Sequence, residues 1–311
     1  MTTSPRLDDA TIPIRIRQQA RRRRRITPGR RVFIVVNGLI LSAFALLCVL
    51  PFVNVLASSL ATPGELATRA FILWPETFTL DAYRYIFSTP TIFRALGVSA
   101  VVTIGGTMIS LVLTTLMAYA LSKKYLKGRR VINFLVLFTI LFSGGMIPTF
   151  IVVKNLGMMD TLWSLTIPVA INAFNFIIMR SFFQGIPESL EESARIDGCS
   201  ELGVFWRIVL PLSMASIATI GLFYAVYYWN TYQSAILYIN KSELWPIQVL
   251  LRQIVIVASG MNADETAVDI VPPAQSVRMA VIFVATLPML LVYPFVQRYF
   301  VKGALIGSVK G

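Results

Sequence analysis

Five carboxylates crowd one stretch of an otherwise charge-poor chain: Glu188, Glu191, Glu192, Asp197 and Glu201. Leu190, Ala194, Val204, Phe205, Trp206 and Ile208 lie among and just after them. Carboxylates in such company can pair with a partner's cations, ligate a metal or move protons. Histidine is absent, which removes the commonest metal ligand and the usual acid–base group at neutral pH. Ser–His and Cys–His nucleophiles go with it, and no Gly-x-Ser-x-Gly elbow is present. No lysine follows a glycine, so the phosphate-cradling GxxxxGK[ST] loop is missing and ATP is not held by that route. Cys48 sits in an apolar run and Cys199 in a charged one, so neither a disulfide frame nor a metal site is expected. A second polar pair, Asn172 and Asn175, is three residues apart and shares a helix face. Amides there offer donors and acceptors to a ligand's hydroxyls, or they bond a neighbouring helix.

The elements that must carry these groups are membrane helices. Of the 311 residues, 56% are hydrophobic and 14% charged, against about 45–50% and 25% in soluble domains. Six charge-free runs occur: 32–64, 95–122, 131–153, 161–179, 208–240 and 279–297. Crossing the hydrocarbon layer takes about 20 apolar residues. Each run must be helical, because unpaired backbone amides in lipid are costly. The expected architecture is all-α and polytopic, with six transmembrane helices. The first run is too long for a signal-peptide core and reads as an uncleaved span. A shorter run, 244–259, contains Pro246 and Arg252 and reads as an extracytoplasmic helix packed on the bundle.

Charge orients the spans. The balance is +8 over residues 1–31, +5 over 123–130 and +3 after residue 297. Basic residues collect on the cytoplasmic side. Both termini are therefore expected in the cytoplasm, with 61–94 and 232–278 outside. Residues 1–31 read as a basic, disordered cytoplasmic arm whose Arg21–Arg25 run orients the first span and meets anionic lipid rather than nucleic acid. Residues 32–311 form the membrane domain.

The 180–207 connector breaks this rule with a balance of −2. Its chemistry spells two short helices. Pro187 suits a first helical position, Glu188 and Glu191 suit the first turn, and Gly198 suits a stop. Ser200 can cap the second helix, and Pro211 is expected to limit it. Such an acidic, partly apolar hairpin fits a basic protein pocket better than a membrane surface, which favours basic helices.

The order Glu192-Ser193-Ala194, three residues, Gly198, nine residues, Ile208, one residue, Leu210-Pro211 resembles the "EAA" signature of ABC importer permeases. Ser193 stands where that family often has Ala. The tail Arg298 to Gly311 is similar to that of the MalG-like sugar permeases. Phe142 to Phe150, with Leu162-Trp163 and Ile167-Pro168, resembles the LplC/YtcP-like oligosaccharide branch.

The resemblance implies a type I importer permease fold in a bacterial cytoplasmic membrane. It implies that loop 184–211 is a coupling hairpin docking in an ATPase cleft. Glu192 would meet a basic residue there, and Ser193, Ala194, Asp197, Gly198, Ile208, Leu210 and Pro211 would belong to the contact. Phe205 and Trp206 are read as apolar anchors for it. The tail 301–311, through Gly307, Lys310 and Gly311, would reach between two ATPase subunits. Implied partners are a second, MalF-like permease, two ABC ATPases carrying ATP-Mg, and an extracytoplasmic sugar-binding protein. The chain itself would bind no cofactor and catalyse nothing.

Within the spans, Asn172, Asn175, Tyr228 and Trp229 are candidates for a substrate path. The aromatic group Phe223, Tyr224, Tyr227, Tyr228, Trp229 and Tyr232 can stack on sugars, although an interfacial belt is favoured. Gly106 and Ser110 have the spacing of a tight helix contact. Two rivals remain: an ABC permease for a non-sugar solute, and an ion-coupled secondary transporter. Every acidic residue lies outside the six charge-free runs, which disfavours the latter.

Overall fold

The computed structural model describes residues 28–258 and 275–308. These fall into two units that divide between Leu50 and Pro51. Helix α1, Pro28–Ser59, begins in the first unit, where residues 28–49 are all exposed, and ends in the second. Then come α2 Pro63–Thr68, α3 Asp81–Ser88, α4 Pro90–Ser122, α5 Arg129–Leu141 and α6 Met146–Asn155. Next are α7 Trp163–Val169, α8 Ala173–Gln184, α9 Glu188–Ile196, α10 Glu201–Leu212 and α11 Met214–Trp229. Short α12 Gln233–Tyr238, α13 Ile247–Ala258 and α14 Gln275–Ser308 complete the described residues, which contain no strand. The basic arm falls almost wholly outside them, as do Lys310 and Gly311.

Among the described residues three helices are long and apolar enough to cross a membrane alone, and three bent pairs, each counted as one span, bring the number to six. Three of the six expected runs are therefore bent rather than straight. The 131–153 run is α5 and α6, bent by 118° where they join. Phe142 leaves the helix in an extended conformation, and Gly145 takes φ 86°, a left-handed value open chiefly to glycine. The 161–179 run breaks by 51° between α7 and α8, where the Asn172 side chain caps α8 by accepting the Asn175 N–H at 3.1 Å. The 208–240 run begins inside α10, bends by 79° at Ser213, and leaves its spanning helix at Trp229.

Pro211 lies one residue before the end of α10, as expected of a residue that limits the helix. The helix widens to a π-turn over Phe205–Val209, with the Leu210 N–H reaching the Phe205 carbonyl, and continues to Leu212. Helix α4 packs against α8 and α11 around Val102, Phe176, Met179, Ile220, Tyr224 and Tyr228. A second cluster joins α3, α13 and α14 around Ile86, Ile247, Leu250 and Val281. Helix α13 matches the short helix expected over 244–259, and its first N–H bonds the Ser99 hydroxyl of α4 at 2.9 Å. Gly106 and Ser110 make the tight contact their spacing suggests. A methyl on Gly106 would lie 2.8 Å from the Tyr228 ring, and Ser110 Oγ bonds Tyr228 Oη at 2.8 Å.

Candidate functional site

The acidic connector folds as a helical hairpin, α9 and α10. Helix α9 ends in a Schellman motif. Gly198 takes φ 84°, its N–H bonds the Arg195 carbonyl, and the Cys199 N–H bonds that of Ala194. A Cβ on Gly198 would meet nothing within 4 Å, so backbone conformation rather than space calls for glycine. Ser200 caps α10, accepting the Gly203 N–H at 3.2 Å.

Ion pairs tie the hairpin to the end of α4 and the connector after it. Glu191, its side chain 9% exposed, pairs with Lys123 and with Arg195 at 3.4 Å. Arg195 pairs with Glu201 at 2.8 Å, and Lys124 with Glu188 at 2.6 Å. The Lys124 ammonium holds the Glu188 carboxyl below its ordinary value, while burial and then Glu201 push the Tyr125 phenol up. The Lys123 ammonium also sits 4.3 Å from the centre of the Tyr119 ring.

The carboxylates thus divide. Glu188, Glu191 and Glu201 are paired within the chain. Glu192 and Asp197 are exposed and make no ion pair among the described residues. Beside them stand Ile196, 86% exposed, Leu202 and Trp206. A concavity of about 530 Å³ opens at the elbow, lined by Asp197, Gly198, Ser200, Leu202, Trp206 and Arg207 among others. Ser193 and Pro211 also face outward, whereas Ala194 is buried and Ile208 and Leu210 are half-buried against the core.

Phe205 corrects the expected anchor. It is buried, 4.8 Å from the Tyr119 ring, and pins the hairpin to its own bundle. Burying such a side chain is worth about 1.5–3 kcal/mol. Trp206 alone of the pair points out. Sequence reading passed over Lys123 and Tyr119. The signal was available, since a basic connector and an acidic one lie on the same side.

The path candidates divide as well. Asn172 and Asn175 line a cavity of about 740 Å³ with Thr139, Ser143, Tyr224 and Tyr227. No charged residue lines it. Tyr228 does not belong there. It is fully buried, its hydroxyl within reach of Ser110 Oγ and the Thr166 carbonyl at 3.2 Å. Trp229 is buried in the second cluster, donating from Nε1 to the Ala285 carbonyl at 2.9 Å. Tyr224 Oη meets Thr114 Oγ1 at 2.7 Å and accepts the Asn172 N–H at 3.0 Å. Tyr224, Tyr228 and Trp229 bind helices together, whereas Phe223, Tyr227 and Tyr232 of the same group are exposed. Of the tail contacts, Gly307 lies on α14 and the other two fall outside the described residues.

Residues 110–305 match the family described as the binding-protein-dependent transport system inner membrane component. The polygalacturonan/rhamnogalacturonan transport system permease protein YtcP of Bacillus subtilis is 63% identical over 86% of this chain and 94% of that protein. LplC of the same organism is 55% identical over 92% and 97%. One chain of the crystal structure of a bacterial ABC transporter involved in the import of the acidic polysaccharide alginate superposes with a TM-score of 0.79. It is 32% identical, covering 88% of this chain and 98% of that one. A hairpin of this signature, six spans counted through their bends, and relatives aligned nearly end to end identify the chain as a member of the inner-membrane permease family of binding-protein-dependent ABC transport systems.

Proposed function

We propose that the chain forms one half of the path of an importer for oligosaccharides and that the α9–α10 hairpin couples it to ATP hydrolysis on separate subunits. The observation that carries the coupling is the division of the carboxylates. Two are paired with lysines outside the hairpin, a third closes the hairpin on itself through Arg195, and two stand unpaired beside exposed Ile196, Leu202 and Trp206. An acidic and apolar face of this kind fits a basic, apolar-walled cleft of a partner protein. The assembly contains a second homologous permease, two ATPases holding ATP-Mg, and an extracytoplasmic binding protein. The termini and hairpin face the cytoplasm, and the tail through Gly307, Lys310 and Gly311 lies against the ATPases.

The sugar reading draws on the cargo named for YtcP and for the alginate transporter. It draws also on the cavity's uncharged amide, hydroxyl and phenol lining, which suits hydroxyl-rich cargo. Co-purification with the partners, then ATPase assay across binding proteins loaded with oligosaccharides or amino acids, tests it. Oligosaccharides should stimulate hydrolysis. Stimulation by amino acids alone would remove the sugar assignment.

A further inference from the structure

We propose that Arg129 on α5 and Arg180 on α8, at the hairpin end of the bundle, hold the phosphate of an anionic phospholipid whose acyl chains lie along the exposed apolar face of α5. Helices α5 and α8 pack together, with Arg129 the first residue of α5 and Arg180 in the last two turns of α8. The positive charge of Arg129 bears unfavourably on Arg180, which is itself partly desolvated. Neither takes a carboxylate among the described residues, in contrast to Lys123 and Lys124 nearby, which are each paired. Arg180 spends Nε on the Leu121 carbonyl, at 3.1 Å. Arg129 Nη1 is enclosed and has no acceptor. The Asn133 side chain donates to the Arg129 carbonyl at 2.7 Å and leaves its own Oδ1 without a donor.

Two like charges with unused donors call for an anion that accepts several hydrogen bonds at once. A phosphate does this, and the planar guanidinium suits it. A glycerol headgroup adds a hydroxyl that can serve Asn133 Oδ1. The remainder of α5 favours a lipid over a protein carboxylate. Val131, Phe134, Leu135 and Leu141 stand exposed along it, an apolar surface that acyl chains below a headgroup at Arg129 would cover.

The test uses the assembled transporter in nanodiscs of phosphatidylcholine with phosphatidylglycerol as the probe, read by native mass spectrometry. The wild type should retain phosphatidylglycerol. Arg129→Gln with Arg180→Gln should weaken retention about thirtyfold, as two basic residues facing anionic lipid predict. Lys124→Gln, which removes a single charge from an exposed paired residue, should leave retention unchanged. Should the double variant fail to fold, Arg129→Lys with Arg180→Lys decides: it keeps the charge, loses the fork and should retain the lipid more weakly than wild type. Displacement by millimolar inorganic phosphate would make this a free-anion site and overturn the lipid. Retention by the isolated chain but not by the assembly would show a partner protein covering the arginines, and would overturn it equally. So would Gln variants that retain phosphatidylglycerol like the wild type.

Discussion

Single residues here act mostly by contact with a specific neighbour. Gly106 leaves room for the Tyr228 ring, and that ring cannot swing aside because its hydroxyl is held by Ser110 and Thr166. Gly106→Ala should therefore overpack the α4–α11 contact and cost about 1–3 kcal/mol, read as a lower unfolding midpoint in lipid nanodiscs. Asp160 is a different case. Its Oδ1 accepts the Asn240 N–H at 2.5 Å and the Lys241 N–H at 3.2 Å, and the Asn240 contact, foremost, holds its carboxyl below the ordinary value. A depressed folded-state pKa stabilises the loop contact above the ordinary carboxylate range, and that contribution fades as pH falls through the depressed value. Below about pH 4 the protection of the Asn240 and Lys241 amides, measured against their intrinsic exchange rates, should fall, and Asp160→Asn should abolish the dependence. The small-residue spacing of Gly106 and Ser110 announced a helix contact. Nothing in sequence announced that Tyr228 fills it or that Trp229 is buried beside α14, because a buried aromatic and a path-lining one are spelled alike.

At the scale of elements, hydropathy located the spans and missed their shapes. Apolar runs report what lipid tolerates, and both a straight helix and a bent pair satisfy that. The bends fall where side chains or glycine supply an alternative to helical bonding, with Gly145 at positive φ and Asn172 as a cap, while a π-turn precedes Pro211 near the end of α10. The hairpin was legible almost completely, since Gly198 and Ser200 do locally what their types favour. Its attachment was not, because Glu191 and Glu192 are neighbours and only the fold decides which turns inward. Lys123→Gln should leave Glu191 with Arg195 alone. An isolated buried charge costs about 3–5 kcal/mol, and the remaining Arg195 contact should reduce this to about 1–3 kcal/mol. Hydrogen exchange across 188–196 should rise accordingly. Replacing both partners together, Lys123→Met with Glu191→Leu, should restore most of the loss, since no lone charge remains.

For the whole molecule, the consequence is a rigid connection between the hairpin and the helices lining the cavity. Phe205 and Val209 of α10 share one core with Phe176 and Met179 of α8 and Tyr224 of α11, and Asn172, Asn175 and Tyr224 line the cavity. Displacing the hairpin should therefore displace the cavity wall, which is what the proposed coupling to a separate ATPase requires. The most direct test is a cysteine at Ser193, exposed on the outer face of α9, in a transporter whose Cys48 and Cys199 are replaced. A short bifunctional reagent should join it to the ATPase subunit in the assembled complex, with a yield that changes on ATP binding. Absence of that cross-link, or labelling of the same cysteine by an impermeant reagent from outside the cell, would contradict the account.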